Sequence, residues 1–475
     1  MLRRDPAIAV SCAFNHHSTE RRRKMDKREF LRGSAATAAA MMMITFPERD
    51  LLADTTIPRT NWSGNYHYST NNVFQPASVA DVQDAVRSVA GVRALGTRHS
   101  FNGIADSKIA QISTLKLTDV TLNPKARTVA VGAGIRYGDL AIILDSKGFA
   151  LHNMASLPHI SVGGGCATAT HGSGMRNGNL ATAVTAIEFV AADGTLRTLS
   201  RDKDGDRFAG AVVALGSLGV VTHVTLAVQP RYDMTQIVYE NLPFSELEHH
   251  LADIMGAGYS VSLFTDWQNG RAGEVWIKRR VDQGGASAPP ARVYNATLAT
   301  EKLHPIPGHS ADACTDQLNI VGPWYERLAH FKMNFTPSSG QELQTEFLVP
   351  FDRGYQAIRA VETLRDSITP HLYITELRAI ASDDLWMSMA YRRPSLAIHF
   401  TWKLEPDAVM NLLPQIEAKL APHGARPHWA KVFTMNTSQL APLYPRIQDF
   451  RALAQEFDPK GKFRNRYITD HVDTA

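Results

Sequence analysis

The stretch Ile160-Ser-Val-Gly-Gly-Gly-Cys-Ala-Thr-Ala-Thr-His-Gly-Ser-Gly174 constrains the fold of this chain more than any other segment. Its glycines allow positive φ or an unusually close backbone approach to another body. The hydroxyls of Ser161, Thr168, Thr170 and Ser173 can donate hydrogen bonds to phosphate or to the polar edge of a ring. A glycine-rich structural turn would use the same residues, so this stretch alone leaves two readings open.

A second segment bears on the choice. Val92-Arg-Ala-Leu-Gly-Thr-Arg-His99-Ser-Phe-Asn places a histidine on a tight Gly96 turn directly after a short apolar strand. A strand ending in such a turn offers its N–H groups to an anion and its next side chain to a ligand. One compact α/β interval separates the two segments, and together they point to a flavin site with His99 as its tether. Gly132-Ala-Gly134-Ile-Arg-Tyr-Gly138 superficially resembles a dinucleotide fingerprint. Its spacing is one residue too long and no acid follows about twenty residues on, so a strand-to-helix turn explains it better.

With 475 residues and 44% hydrophobic content the chain is ordinary globular material, long enough for two domains. The net charge of +4 belongs to the first 33 residues, which hold nine Lys/Arg and four Asp/Glu. The remainder has 41 basic and 42 acidic residues, and offers no polyanion-binding balance. The three cysteines, Cys12, Cys166 and Cys314, are too far apart for a disulfide framework or metal-ligand spacing. No metal is expected. Residues 1–54 have the basic, apolar and polar layout of an export leader, and Lys27-Arg-Glu-Phe-Leu resembles a twin-arginine signal. The expected location is therefore periplasmic, with a cytoplasmic protein bearing a basic tail as the alternative. The apolar run is too short to span a membrane.

From Asn61 onward the pattern is α+β. Ser78 and Asp81 form a capping pair for a helix with Val79, Val82, Val86 and Val89 on one face. Strands are expected at Val92 to Leu95, Val120 to Leu122, Thr128 to Val131, Ala186 to Ala191, Leu196 to Leu199 and Val220 to Val228. A helix runs from about Tyr137 to Lys147. This first domain ends near Arg231. The second alternates longer strands, such as Ser260 to Asp266 and Val275 to Arg279, with helices at Tyr355 to Ser367 and Ala408 to Leu420. The loop Gln283 to Ala291 reads as an exposed excursion.

Three places in the second domain carry chemistry. In Leu372-Tyr-Ile-Thr-Glu-Leu-Arg-Ala-Ile380 a period of two puts Glu376 and Arg378 side by side between Ile374 and Ile380. A buried pair of this kind is either a structural ion pair or a working site. In Ser395-Leu-Ala-Ile-His-Phe-Thr-Trp402, His399 falls on the face opposite Leu396, Ile398, Phe400 and Trp402, looking into a polar cleft or satisfied in the core. Lys431 sits among aromatics in Pro427-His-Trp-Ala-Lys-Val-Phe433, where it either meets a fixed anion or snorkels to the surface.

Taken with Asn153-Met-Ala-Ser156-Leu-Pro-His-Ile-Ser, Thr170-His-Gly-Ser-Gly and Arg426-Pro-His-Trp-Ala-Lys431, these motifs resemble the alditol oxidases. Those are vanillyl-alcohol-oxidase-type FAD enzymes related to the aldonolactone oxidases. The resemblance covers essentially everything after the leader. It implies an N-terminal FAD-binding domain over 57–231 and a C-terminal substrate domain on an antiparallel sheet over 232–475, whose tail returns to the first domain.

The same resemblance implies FAD contacts at Ala94, Leu95, Gly96, Thr97, Arg98, His99, Ser100, Ser156, Ser161, Gly164, Thr168, Ala169, Thr170, His171, Val220 and His428, with a covalent bond through His99. Ser156, Glu376, Arg378, His399 and Lys431 match polyol-binding residues, the last four also with catalytic roles, and Ala155 matches a position controlling oxygen access. The family has Ser-Gly where this chain has Thr97-Arg98. The expected protein is a monomer acting on a small polyol and dioxygen, with no nucleic acid and no stable membrane insertion. The rival readings are an aldonolactone oxidase or dehydrogenase and a non-catalytic carbohydrate-binding protein of the same fold.

Overall fold

The computed structural model describes residues 42–43, 57–336 and 338–473. The export leader expected over 1–54 lies outside these residues, apart from the pair Met42–Met43. Helix Val79–Ser88 begins where its cap predicts: Ser78 Oγ accepts the Asp81 N–H at 3.2 Å, and the Asp81 carboxylate accepts the Ser78 N–H at 3.0 Å. A reciprocal cap of this kind contributes about 1 kcal/mol. Val82, Ala85 and Val86 form the buried face. Beside the helix, Arg93–Leu95 pairs in parallel with Gln111–Ser113, which pairs in turn with Val73–Phe74. The end of Arg93–Leu95 launches the His99 loop.

A six-stranded antiparallel sheet carries the rest of this half, in the order Met42–Met43, Val120–Asn123, Thr128–Gly132, Val220–Ala227, Val184–Val190 and Leu196–Ser200. Helix Tyr137–Ser146 follows the third of these strands. The glycines before it serve close packing, since a Cβ on Gly134 would overlap the carbonyl oxygen of Thr114.

Two local expectations differ from the structure. The glycine-rich run, for which a structural turn was one of the two readings, is helical over Val162–Ala167. Val162 N–H donates to the Ile135 carbonyl and Gly163 N–H to the Ala133 carbonyl, each at 2.9 Å, and these tertiary bonds override glycine's poor helix propensity. The helix expected over Tyr355 to Ser367 is two pieces, Gly354–Glu362 and Arg365–Ile368. The Thr363 hydroxyl bonds back to the Ala360 carbonyl at 2.7 Å, competing with the backbone where the helix ends.

The chain enters a second, ten-stranded antiparallel sheet at Asp233–Pro243. Its central order is Asp233–Pro243, Arg271–Arg280, Ser260–Thr265, Leu372–Ile380, Ser395–Lys403 and Glu342–Pro350. Helices Phe244–Met255, Gly354–Glu362 and Pro406–Leu420 cover one face, with Gly354 and Leu251 against Leu396. The other face turns Glu346, Glu376, Arg378 and His399 toward a cavity.

The C-terminal segment packs on the first half. Arg93 Nη1 donates to the Phe463 carbonyl at 2.6 Å, and Asn465 Nδ2 donates to the Gly103 and Asp106 carbonyls, both at 2.9 Å. Among the described residues no helix is long and apolar enough to cross a membrane.

Candidate active site

One continuous cavity runs from the Arg93–Leu95 strand end and the Val162–Ala167 helix to the polar face of the second sheet. Of the expected residues, it brings together Ala94 to Ser100, Ala155, Ser156, Ser161, Gly164, Thr168, Thr170, His171, Glu376, Arg378, His399, His428 and Lys431. Ala169 and Val220 are not on its wall. Ala169 turns inward at φ +52°, and Val220 packs beside Val82 and Val86 while its neighbours Gly219 and Val221 line the cavity.

His99 is held from two sides. The Trp62 ring stacks on it at 5.2 Å with planes 16° apart, and Thr97 Oγ1 lies 3.1 Å from Nδ1. Nε2 is buried without a partner. Burial, with His159 nearby, pushes the imidazole down to about 3, so it is neutral. Arg98 takes φ +64°, in the left-handed region that glycine adopts freely, and its guanidinium turns away to the Thr60 carbonyl at 2.7 Å. The loop is tied to the opposite lobe: Phe101 N–H donates to the Ala430 carbonyl at 2.7 Å and Asn102 Nδ2 to the Lys431 carbonyl at 2.8 Å.

At the far end, pairing of neighbouring strands sets Glu376 and Glu346 on either side of His399. Arg378 Nη2 donates to Glu346 Oε1 at 2.6 Å and Nη1 to Ser156 Oγ at 3.3 Å. Its Nε is 3.5 Å from Glu376 Oε2. The acid expected to hold Arg378 was Glu376, yet the short bond is to Glu346; Arg378 is paired with Ala397 and Glu346 with His399, so the guanidinium reaches that carboxylate diagonally across the intervening strand. Lys431 Nζ is 2.8 Å from Glu346 Oε2, an ion pair whose angles fall short of a hydrogen bond. The lysine thus meets a fixed anion inside the protein instead of snorkelling outward. Burial alone would raise the Glu346 carboxyl, but Lys431, His171 and Arg378 outweigh it and hold it well below the usual range. Arg378 and His330 do the same for Glu376.

His399 stands between these charges with neither ring nitrogen hydrogen-bonded; its Nδ1 is 3.6 Å from Glu376 Oε2. Burial and the Lys431 charge push it down to about 4, so it is neutral and free to accept a proton. His171, Glu346 and His428 each offer a ligand atom within 4.8 Å of the others. Arg378 and Lys431 already occupy that carboxylate, and two fixed cations oppose a third.

The family model for the FAD binding domain matches residues 70–200, and that for D-arabinono-1,4-lactone oxidase matches residues 330–471. An alditol oxidase from Streptomyces sp. (strain IKD472 / FERM P-14339) is 44% identical, over 87% of this chain and 99% of that protein. The chain belongs to the alditol oxidase family. An L-gulono-1,4-lactone dehydrogenase from Mycobacterium tuberculosis is 25% identical over 86% of this chain and 97% of its own length. The crystal structure of a cholesterol oxidase from B. sterolicum has the same fold, with a TM-score of 0.72 and 14% identity, covering 90% of this chain and all of that one. The architecture is thus that of the vanillyl-alcohol-oxidase-type flavoproteins.

In this alditol oxidase relative, three site residues escaped sequence reasoning. Glu346 is the first, although Glu342, Gln344 and Glu346 alternate with Leu343, Thr345 and Phe347, a period-two signal like that of the neighbouring strands. His330 lies on a connecting segment with no period. Lys278 shares a strand face with Glu274 and Trp276, a pattern that reads as solvent-facing.

Proposed function

We propose that this protein oxidises the primary alcohol of a linear polyol, such as xylitol or sorbitol, to an aldose, consuming dioxygen and releasing hydrogen peroxide. The carrying observation is that Arg378, Lys431 and a neutral His399 converge on the cavity that also contains the His99 loop. FAD, when bound, supplies the acceptor for the hydride from the alcohol carbon and returns both electrons to dioxygen.

The residues fit that cofactor. The first half of the cavity sets glycines and short hydroxyl side chains among apolar ones such as Ile187, Phe189 and Leu215, suited to phosphates and a flat ring. Its buried, unpartnered His99 Nε2 calls for a ligand. In this reading 57–231 holds FAD and 232–475 holds the polyol. A covalent bond through His99 is supported by its neutral ring, since a protonated imidazole has no lone pair for attack. Arg98 itself adopts, at φ +64°, a left-handed turn of the kind glycine takes freely.

Around the substrate, Arg378 and Lys431 hold the reacting oxygen and stabilise the negative charge that develops there. His399 accepts the hydroxyl proton or hydrogen-bonds a neighbouring hydroxyl. Glu376 and Ser156 take further hydroxyls. Ala155, with only a methyl on the cavity wall, leaves oxygen a path.

The D-arabinono-1,4-lactone oxidase match over 330–471 supports a second reading, oxidation of an aldonolactone. Purified enzyme assayed for peroxide with xylitol, sorbitol and gulonolactone separates the two. Lactone turnover without polyol turnover overturns the first reading.

A further inference from the structure

Behind Glu376, away from the flavin half of the cavity, lies a line of hydrogen bonds that no step above uses. Lys278 is 1% exposed and its Nζ points at three acceptors: the Leu328 carbonyl at 2.5 Å, the Ala329 carbonyl at 3.1 Å and His330 Nδ1 at 2.8 Å. Burial pushes this ammonium down to about 7, and whether ammonium or amine the nitrogen has hydrogens to donate to these partners. A ring nitrogen that receives one of them carries no hydrogen itself.

Burial and the Lys278 charge keep His330 neutral, so its single N–H is on Nε2. That nitrogen is 2.7 Å from Glu376 Oε1 and donates to it. The ring cannot swing away, because Trp276 and Phe264 pack on it at 5.2 and 5.7 Å, and its backbone N–H donates to the Ser156 carbonyl at 3.0 Å. The polarity of the line is fixed at its inner end, because the ionised Glu376 carboxylate can only accept and Nε2 must therefore carry the hydrogen.

We propose that His330, held between Lys278 and Glu376, is the positioning residue that reserves Glu376 Oε1 and turns Oε2 to the polyol. Oε2 is the oxygen beside Arg378 Nε and His399 Nδ1, 3.5 and 3.6 Å away. Without the His330 N–H, Glu376 is free to rotate and pair with Arg378 through both oxygens, drawing the guanidinium off the reacting hydroxyl. The inference rests on the polyol reading of the cavity.

The flavin-loaded enzyme and two variants test it. Removing a hydrogen bond to a charged group predicts that His330→Phe raises KM for xylitol about tenfold while kcat changes less than about threefold. His330→Gln, whose amide can place an N–H near the same carboxylate, recovers most of the loss. An unchanged KM in His330→Phe overturns the proposal. So does equal impairment of both variants while flavin absorbance and Tm stay at the wild-type level. Independently of turnover, 15N spectra of the whole enzyme identify His330 by its loss in His330→Phe. The Nε2–H tautomer is expected, and an Nδ1–H tautomer overturns the proposal. Wild-type enzyme that oxidises no polyol overturns the functional reading instead, and the spectrum still reports the tautomer.

Discussion

Lys431 Nζ lies 2.8 Å from Glu346 Oε2, and Glu346, only 1% exposed, also accepts from Arg378. Both cations assigned to the reacting oxygen are thus aimed by one carboxylate that does not itself reach the substrate role given to Glu376. Glu346→Gln leaves two buried cations with a single acid nearby, Glu376. Breaking a buried pair from one side costs about 3–5 kcal/mol, so denaturant unfolding of this variant is expected to show a loss of that size. An unchanged unfolding midpoint argues that the cations find water or another anion.

Arg98 adopts φ +64°, where a residue without a β-branch is tolerated. Arg98→Gly is accordingly expected to keep its flavin: after acid precipitation the yellow colour stays with the pellet, as in the parent enzyme. Arg98→Val forces a branched side chain into the same conformation, at a cost of about 1–3 kcal/mol in unfolding free energy. A colourless pellet from the parent enzyme sinks the covalent bond, and one from Arg98→Gly alone shows that the guanidinium is needed to form it.

The parts of the site readable in the sequence are those where one segment carries its own geometry. Glu376 and Arg378 are two residues apart on one strand, and His99 follows its own glycine turn. Glu346 became central only through pairing with a strand some fifty residues later, where it lies opposite His399. Lys278 is buried by the 328–330 segment folding over it, a contact that no local period encodes. Glycine's low helix propensity likewise concealed Val162–Ala167, whose helical state is imposed by bonds to residues 133 and 135.

Burial and the neighbouring Lys431 charge hold the His399 imidazole down at about 4, against an ordinary 6.5, so the ring is neutral. If the neutral ring takes the hydroxyl proton, kcat/KM holds level near neutrality and falls as pH drops through about 4. Stability moves the same way. Between pH 6.5 and about 4 the unfolded chain binds protons that the buried His399 and His330 do not, so unfolding free energy declines as pH falls across that window. Stopped-flow flavin reduction, read against circular dichroism at the same pH, separates the two effects. A rate independent of pH down to 4 removes His399 as the proton acceptor.

Gly96 and Ser161 interlock at the junction of the two cofactor segments. A Cβ on Gly96 would run into Ser161 Oγ, and Ser161 N–H donates to Thr97 Oγ1 at 3.0 Å, the same hydroxyl that meets His99 Nδ1. Gly96→Ala therefore forces the Ser161 hydroxyl into another rotamer on the cavity wall, a crowding expected to cost about 1 kcal/mol and to lower flavin content. Ser161 makes no side-chain cap to its helix, so Ser161→Gly alone is expected to be mild. Combining the two removes the collision, and the double variant should regain flavin absorbance and melting temperature relative to Gly96→Ala. Such coupling is the signature of two residues competing for one space. If the two effects simply add, the collision is not what Gly96 avoids, and the glycine must be kept for the cofactor's own approach.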